Sequence, residues 1–332
     1  MSAYIIRRLW SMIPTLLIAT VVVFLLIRLM PGDVIDTIIE DLQNRGTSEA
    51  AIAATRAFIA EELGLDVPAP IQYGRWLGIL PQPDGRISGI LQGDFGLSLW
   101  SKKPVLSRIA PRWPVTLELG LMALVVSQFI SLPIGIYSAL RQDTVGDYLA
   151  RSFAFALIAV PNFWIATLVV VLPSIWWGYT PPIMLIRFGE DPLGNLQMFI
   201  LPAIVLGMGM SGMTMRMTRT MMLEVLRQDY IRTAWSKGLR ERLIVVRHAL
   251  KNAFIPVITQ IGLMLPLLIG GTVIIENIFG LPGMGQLTLD AIAKRDYATV
   301  SGLMLLVAAG IMAINLGVDL VYAWLDPRIH YR

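Results

Sequence analysis

The chain has no cysteine and only two histidines, His248 and His330, far apart. That removes disulfides, thiolate zinc sites and cysteine nucleophiles, and leaves no donor set for a multi-histidine metal centre. Charge is scarce too: Asp, Glu, Lys and Arg make up 15% of 332 residues, against roughly 25% in an average soluble domain. The length would allow two soluble domains, but a soluble surface needs more charge than this. No Gly-Lys dipeptide occurs, so there is no Walker phosphate loop, and neither His-Glu-x-x-His nor Gly-x-Ser-x-Gly is present. Nucleophile–base pairs are poorly supplied, so we expect no catalytic residue and no metal site. Internal repeats and low-complexity tracts are absent as well.

What the chain does have is apolar length. Hydrophobic residues make up 55%, and six stretches contain no Asp, Glu, Lys or Arg: 9–27, 119–140, 152–186, 192–215, 252–275 and 297–318. A helix rising 1.5 Å per residue needs about 20 residues to cross a hydrocarbon layer about 30 Å thick. These runs predict an all-α membrane protein with six transmembrane helices. Buried helices of a soluble protein would give shorter and fewer runs. In the third, Gly178–Pro182 should end the helix; in the fourth, Pro192 and Gly194 suggest a start near Gln197. The first run follows Arg7-Arg8 but lacks a small-residue cleavage site, so it reads as a retained helix rather than a signal peptide.

Basic residues give the direction, because short loops rich in Lys and Arg stay on the cytoplasmic side. With both termini cytoplasmic, segment 216–251 lies inside with nine basic and three acidic residues. Segment 31–112, with eight basic and ten acidic residues, lies outside; long loops are largely exempt from the rule. This divides the chain into 1–30 (N-terminus and first helix), a small outer lobe 31–112, a core 113–325 with a cytoplasmic loop 216–252, and a tail 326–332. In the lobe, Ser48 to Leu63 reads as an amphipathic helix ending at Gly64, and Tyr73, Trp76, Phe95 and Trp100 as core or interface anchors. Pro133, Pro161, Pro173, Pro202 and Pro266 fall in predicted helices, where each removes a backbone hydrogen bond and permits a kink. Asp319, the one acid well inside an apolar stretch, reads as a charge near the cytoplasmic exit rather than as part of a proton relay. The chain therefore moves or senses something while carrying no energy source of its own.

Segment 216–251 is too basic to enter lipid, yet it is patterned. Leu223, Leu226, Tyr230, Ile231 and Ala234 recur at helical spacing, as do Leu243, Val246 and Leu250, with Gly238 between. The pattern predicts a helix, a turn at Gly238, and a second helix entering the next span. Such a basic, partly apolar hairpin fits either a membrane-surface helix or a docking element for a cytoplasmic protein.

Asp229-Tyr-Ile-Arg-Thr-Ala-Trp-Ser-Lys-Gly-Leu239, followed by Arg247-His-Ala-Leu-Lys-Asn-Ala-Phe-Ile-Pro256, resembles the cytoplasmic "EAA" loop of ABC importer permeases of the dipeptide and oligopeptide branch. Ala234 and Gly238 match the general motif, Arg232 and Thr233 stand at its first two positions, and Trp235 departs from it. The resemblance extends along the chain: Tyr4-Ile-Ile-Arg-Arg-Leu9, Arg28-Leu-Met-Pro-Gly-Asp33, Leu63-Gly-Leu-Asp66, Gln72-Tyr-Gly-Arg-Trp-Leu77, Gly93-Asp-Phe-Gly-Leu-Ser98, Val160-Pro-Asn-Phe-Trp164, Phe279-Gly-Leu-Pro-Gly-Met-Gly285, Arg295-Asp-Tyr297 and Asp319 to Arg328. Pro81 to Leu91 looks like an insertion.

The resemblance implies a type I ABC importer permease fold in a bacterial inner membrane. It implies a second, similar permease subunit as heterodimer partner, two cytoplasmic ATPases that bind ATP and Mg in place of any cofactor on this chain, and an extracytoplasmic binding protein. Nucleic acid is not expected as a partner. The coupling surface would be Asp229, Tyr230, Arg232, Thr233, Ala234, Lys237, Gly238 and Leu239. Peptides are the first expectation for cargo, with nickel complexes, glutathione or oligosaccharides as alternatives; a stand-alone secondary carrier is a further one. For the pore, Asn162 and Ser211 carry polar groups that should face a cavity. Met210 and Met213 belong to a methionine-rich fourth helix that suits either varied cargo or ordinary packing.

Overall fold

The computed structural model describes residues 2–29, 43, 48–54, 67–98, 100–182 and 184–325. Expectations for Pro31 to Asp33, Leu63 to Asp66 and the tail 326–332 lie outside these residues; of the amphipathic helix expected from Ser48, residues 49–54 are helical. The described chain is helical: α1 Ser2–Leu29, α2 Ala69–Leu77, α3 Val105–Ile109, α4 Trp113–Leu140, α5 Val145–Ala159, α6 Asn162–Trp177, α7 Pro192–Leu226, α8 Asp229–Ser236, α9 Leu250–Phe279, α10 Met284–Ala293 and α11 Tyr297–Leu325. Among the described residues, five segments are long and apolar enough to cross a membrane: Arg7–Leu26, Val105–Leu140, Pro192–Leu226, Glu241–Pro266 and Tyr297–Leu320. The pair α5 and α6, bent by 89°, makes a sixth when counted as one broken span.

That bend is where the third charge-free run departs from a single straight span. Val160 is extended, as the residue before a proline prefers, and Pro161 offers no N–H to continue the ladder. The helix restarts at Asn162 and ends, as expected, at Gly178, whose positive φ of 65° terminates α6. The fourth helix begins at Pro192 rather than near Gln197, because the Asp191 carboxylate accepts from Leu193 N and Gly194 N and Pro192 suits the first turn. It then runs 35 residues, about 52 Å, well beyond the hydrocarbon layer. Arg216 to Leu226, assigned from sequence to the helical cytoplasmic hairpin, are therefore the end of this same helix.

The chain forms two compact units. One holds Met1–Ile5, Arg112–Gln286 and Gly310–Arg332, the other Ile6–Pro111 and Leu287–Ala309. In the first, Val115, Leu119, Ala123, Phe199, Ala203, Leu206 and Ile275 form a buried cluster among α4, α7 and α9. A Cβ on Gly207 would lie 2.6 Å from the Ala123 carbonyl, and one on Gly135 would lie 2.8 Å from the Met215 carbonyl. Contacts advance together along both helices, so α4 and α7 run parallel and nearly backbone to backbone, as small residues allow inside membranes.

In the second unit, α2 docks on α1 through aromatic rings. The Tyr73 hydroxyl is 2.8 Å from Thr20 Oγ1, and Phe24 meets Tyr73 edge-on with centroids 5.3 Å apart and Trp76 at 5.8 Å. Both lobe aromatics are thus anchors onto the first helix. Within the apparent insertion, Gln82 Nε2 donates to Arg75 O and Ser88 O, which closes the segment into a compact loop.

Candidate functional site

The hairpin after α7 is built around a buried apolar strip. Gln228 is extended with ψ 147°, so the chain breaks there and restarts as α8. The helical spacing from Leu223 to Ala234 is therefore split: Leu223 and Leu226 close α7, and Tyr230, Ile231 and Ala234 belong to α8. Ile231 and Ala234 pack with Met222, Ala139, Ile244, Val245 and Ala249. Gly238 takes φ 74°, a left-handed turn that other residues adopt at a cost. Residues Ile244–Ala249 then form a π-helical stretch. Its wider turn rotates the face, so Ile244, Val245 and Ala249 are buried while Leu243 and Val246, expected on one apolar stripe with Leu250, are exposed.

The eight residues expected at a coupling surface divide accordingly. Asp229, Tyr230, Arg232, Thr233, Lys237 and Gly238 are exposed, Leu239 is half-buried, and Ala234 is turned inward. Asp229 and Arg232 pair at 3.5 Å, and Asn252 Nδ2 donates to the Tyr230 hydroxyl at 2.8 Å, tying the outer face of α8 to the start of α9. Trp235, noted only as a departure from the motif, is 47% exposed on the same helix. A large exposed aromatic among charged neighbours is the composition of an interface anchor.

The pore candidates also divide. Asn162, half-buried at the start of α6, lies with its amide against Gly209 of α7. Met210 is half-buried against the core and Met213 is exposed. Ser211 is fully buried and donates to the Met208 carbonyl at 2.7 Å, so within this unit it serves packing. Met215 and Met222 are buried core residues.

Two further constellations escaped the sequence reading. Arg108 Nη1 donates to Asp296 Oδ2 at 2.7 Å, to Ser98 Oγ at 2.9 Å and to Thr299 Oγ1 at 2.9 Å, with the Asp296 side chain 1% exposed. Trp100 Nε1 donates to the Lys294 carbonyl at 2.6 Å. Together they latch 98–108 of the lobe to the turn before α11. Replacing Arg108 with Met leaves the buried Asp296 carboxylate without its counter-ion, held only by hydrogen bonds from Ser98 Oγ and Thr299, and we expect a loss of about 3 kcal/mol. It should register as a lower thermal midpoint and faster proteolysis within the lobe; an unchanged midpoint would refute the latch. The second constellation surrounds Asp147 and Arg219, on α5 and α7. The cue for it was an Asp just past a loop and an Arg inside a helix, and neither is informative without the partner.

With this geometry in place, the comparisons are direct. Residues 131–331 match the family described as binding-protein-dependent transport system inner membrane component, and residues 1–120 match the N-terminal model of the same membrane components. The chain belongs to that family. It is 40% identical over the full length of both chains to a Brucella suis protein named for a peptide transport system permease. It is 37% identical, again over all of both chains, to the dipeptide transport system permease protein of Escherichia coli. It is 35% identical to the glutathione transport system permease protein of Salmonella paratyphi A, also end to end. Among solved structures, the inward-facing MetNI methionine ABC transporter aligns with a TM-score of 0.54 at 14% identity, covering 68% of this chain and 99% of that one, which speaks to the fold alone.

The protein is thus a multi-pass inner-membrane permease subunit of an ABC importer, with the type I permease fold. It is a non-catalytic component of a larger transport complex.

Proposed function

We propose that this chain forms one half of the translocation pathway for di- and oligopeptides. In this reading it pairs with a second, homologous permease subunit, receives cargo from an extracytoplasmic binding protein, and is driven by two cytoplasmic ATPases that hold ATP and Mg. Both termini and segment 216–252 face the cytoplasm, and the lobe 31–112 faces outward; the excess of basic residues in 216–251 supports this direction. The tail 326–332 is cytoplasmic. Asn162, Met210 and Met213 are our candidates for the pore face, and Ser211 supports the helix behind them. The names of the full-length relatives favour peptide cargo, and the glutathione relative makes that tripeptide the second reading.

The observation that carries the proposal is the two-faced build of α8. Its inner side is locked into the unit by Ile231 and Ala234, and its outer side offers Tyr230, Arg232, Thr233, Trp235 and Lys237. A partner that pushes on that face moves α7 and α9 with it. Exposed charge there sets register more than affinity, and the aromatics supply anchoring area. Trp235→Asp removes an anchor without touching the buried strip. We expect the ATPase subunits to be lost from the purified complex and peptide uptake to fall by about tenfold or more. Full recovery of the ATPases and normal uptake would refute the assignment. Competition of labelled dipeptide uptake by unlabelled dipeptide and by glutathione separates the two cargo readings.

A further inference from the structure

Asp147 stands in the first turn of α5, and its side chain is completely buried. Arg219 of α7 grips it in a fork, Nε to Oδ1 and Nη2 to Oδ2, both at 2.8 Å. Ser138, in the last turn of α4, donates to Oδ1, and the backbone N–H of Asp143, in the turn between α4 and α5, donates to Oδ2 at 3.0 Å. Arg151 lies one helical turn on at 3.4 Å. One carboxylate thus binds three helices at the end of the bundle where α7 leaves for α8.

A buried ion pair is a poor source of stability, because desolvation offsets most of the attraction and an apolar pair of the same volume often folds as well. What a bidentate carboxylate–guanidinium fork adds is direction. Elsewhere along the α4–α7 seam, direction is missing. The contacts there are apolar side chains and glycine against backbone, and the buried hydroxyls of Ser127, Ser131 and Thr218 have no hydrogen-bond partner. Such a seam resists separation more than sliding. Arg219 lies about two turns before the end of α7. Met222, one turn further, is buried in the cluster that also holds Ile231 and Ala234 of α8. The path from α8 to α4 and α5 is therefore contiguous, running through packed apolar groups and then one directional tie.

We propose that Asp147 is a positioning residue for energy coupling: with Arg219 and Ser138 it fastens the ends of α4, α5 and α7 into one body, so that displacement of α8 reaches the pore instead of being lost as sliding of α7. This rests on the reading that α8 receives the ATPases.

The test uses the complete complex, with both permease subunits, the ATPases and the binding protein, in proteoliposomes. ATP hydrolysed and dipeptide imported are measured on the same preparation. Asp147→Asn keeps the size and an acceptor for Ser138 but weakens the fork. A second variant, Asp147→Leu with Arg219→Met, replaces the ion pair with apolar bulk and guards against a folding defect. The expected result is an assembled complex that still hydrolyses ATP, with peptide imported per ATP lowered by about tenfold, within the range for residues that modulate coupling. A wild-type ratio in an assembled variant would overturn the proposal. So would failure of both variants to assemble, since the pair would then serve folding alone. If the wild-type complex shows no ATP-driven uptake, it is the functional reading that fails, and the clamp falls with it; retained coupling in the variants sinks only the clamp.

Discussion

Replacing Gly207 with leucine is expected to abolish the folded permease. Gly207 lies where α7 crosses α4, and its missing side chain is what lets the two backbones meet. Even a single methyl would stand 2.6 Å from the Ala123 carbonyl oxygen and 3.1 Å from Val126 Cβ and Cγ1. A flexible side chain could swing away, but a carbonyl in the middle of a helix moves only if the helix moves. Overpacking of this kind costs about 1–3 kcal/mol where neighbours are able to adjust, and here the first obstacle is backbone. Gly207→Ala should therefore lower the thermal midpoint in detergent, and Gly207→Leu should leave no monodisperse complex. Gly317 of α11 supplies the internal control. Nothing lies within 4 Å of a Cβ there, and alanine is the better helix former by about 1 kcal/mol. Gly317→Ala should be neutral or stabilising. Equal behaviour of the two alanine variants would show that intrinsic helix propensity, rather than close approach, governs both sites.

Glu276→Ala should be comparably damaging, for a different reason. The carboxylate is fully buried near the end of α9. It accepts from Thr116 Oγ1 at 2.7 Å and from the backbone N–H groups of Gly285 at 2.7 Å and Gln286 at 3.2 Å. Thr116 Oγ1 in turn accepts from Met284 N at 2.8 Å. These N–H groups are the unsatisfied first turn of α10, so Glu276 acts as its cap from the preceding helix. Truncation strands buried donors at about 1–3 kcal/mol each and opens a void as well. We expect a loss on the order of 4 kcal/mol, combining both effects. Glu276→Gln, which keeps an acceptor and the volume, should lose less than half of that. Thermal unfolding of the purified complex compares them; if alanine and glutamine behave alike, the cap is not what Glu276 contributes.

The spans were legible because a bilayer imposes a simple rule: a helix that crosses it cannot carry charge along its length. That rule alone located five spans and the material of the sixth. It could not show that the sixth is folded at Pro161, since a proline within an apolar run is compatible with a mild kink, a sharp break or a straight helix. Gly178 and Gly238 were readable as stops, because a positive φ favours glycine wherever it occurs. The break at Gln228 was not readable: Leu223 to Ala234 keep helical spacing across it, and periodicity does not register a change of axis. The π-helical stretch after Leu243 defeated the stripe of Leu243, Val246 and Leu250 in the same way, by altering the number of residues per turn.

The candidate site shows the same division. Basic residues, Gly238 and the motif around Ala234 marked the hairpin from the sequence, and family membership agrees with the importer role it implied. Which side of α8 faces out required the structure. Ala234, expected at the docking surface, is buried in the cluster that holds Ile244 and Ala249, while Trp235 is exposed. Asp147 and Arg219 are 72 residues apart, as are many unrelated pairs of opposite charge, and nothing local distinguishes them.

The amino-acid sequence by itself determined that this chain crosses a membrane, which segments cross, which loop repels lipid, and that it carries no Walker phosphate loop of its own. Each of these follows from summed properties of contiguous residues: hydropathy over a length, charge over a loop, chemistry that is missing. Only the tertiary structure decided the fold-back at Pro161, the inward turn of Ala234, the cap that Glu276 places on α10 and the fork between Asp147 and Arg219. Those are meetings between separate helices, and their energies depend on distance and desolvation, which exist only once the helices have packed.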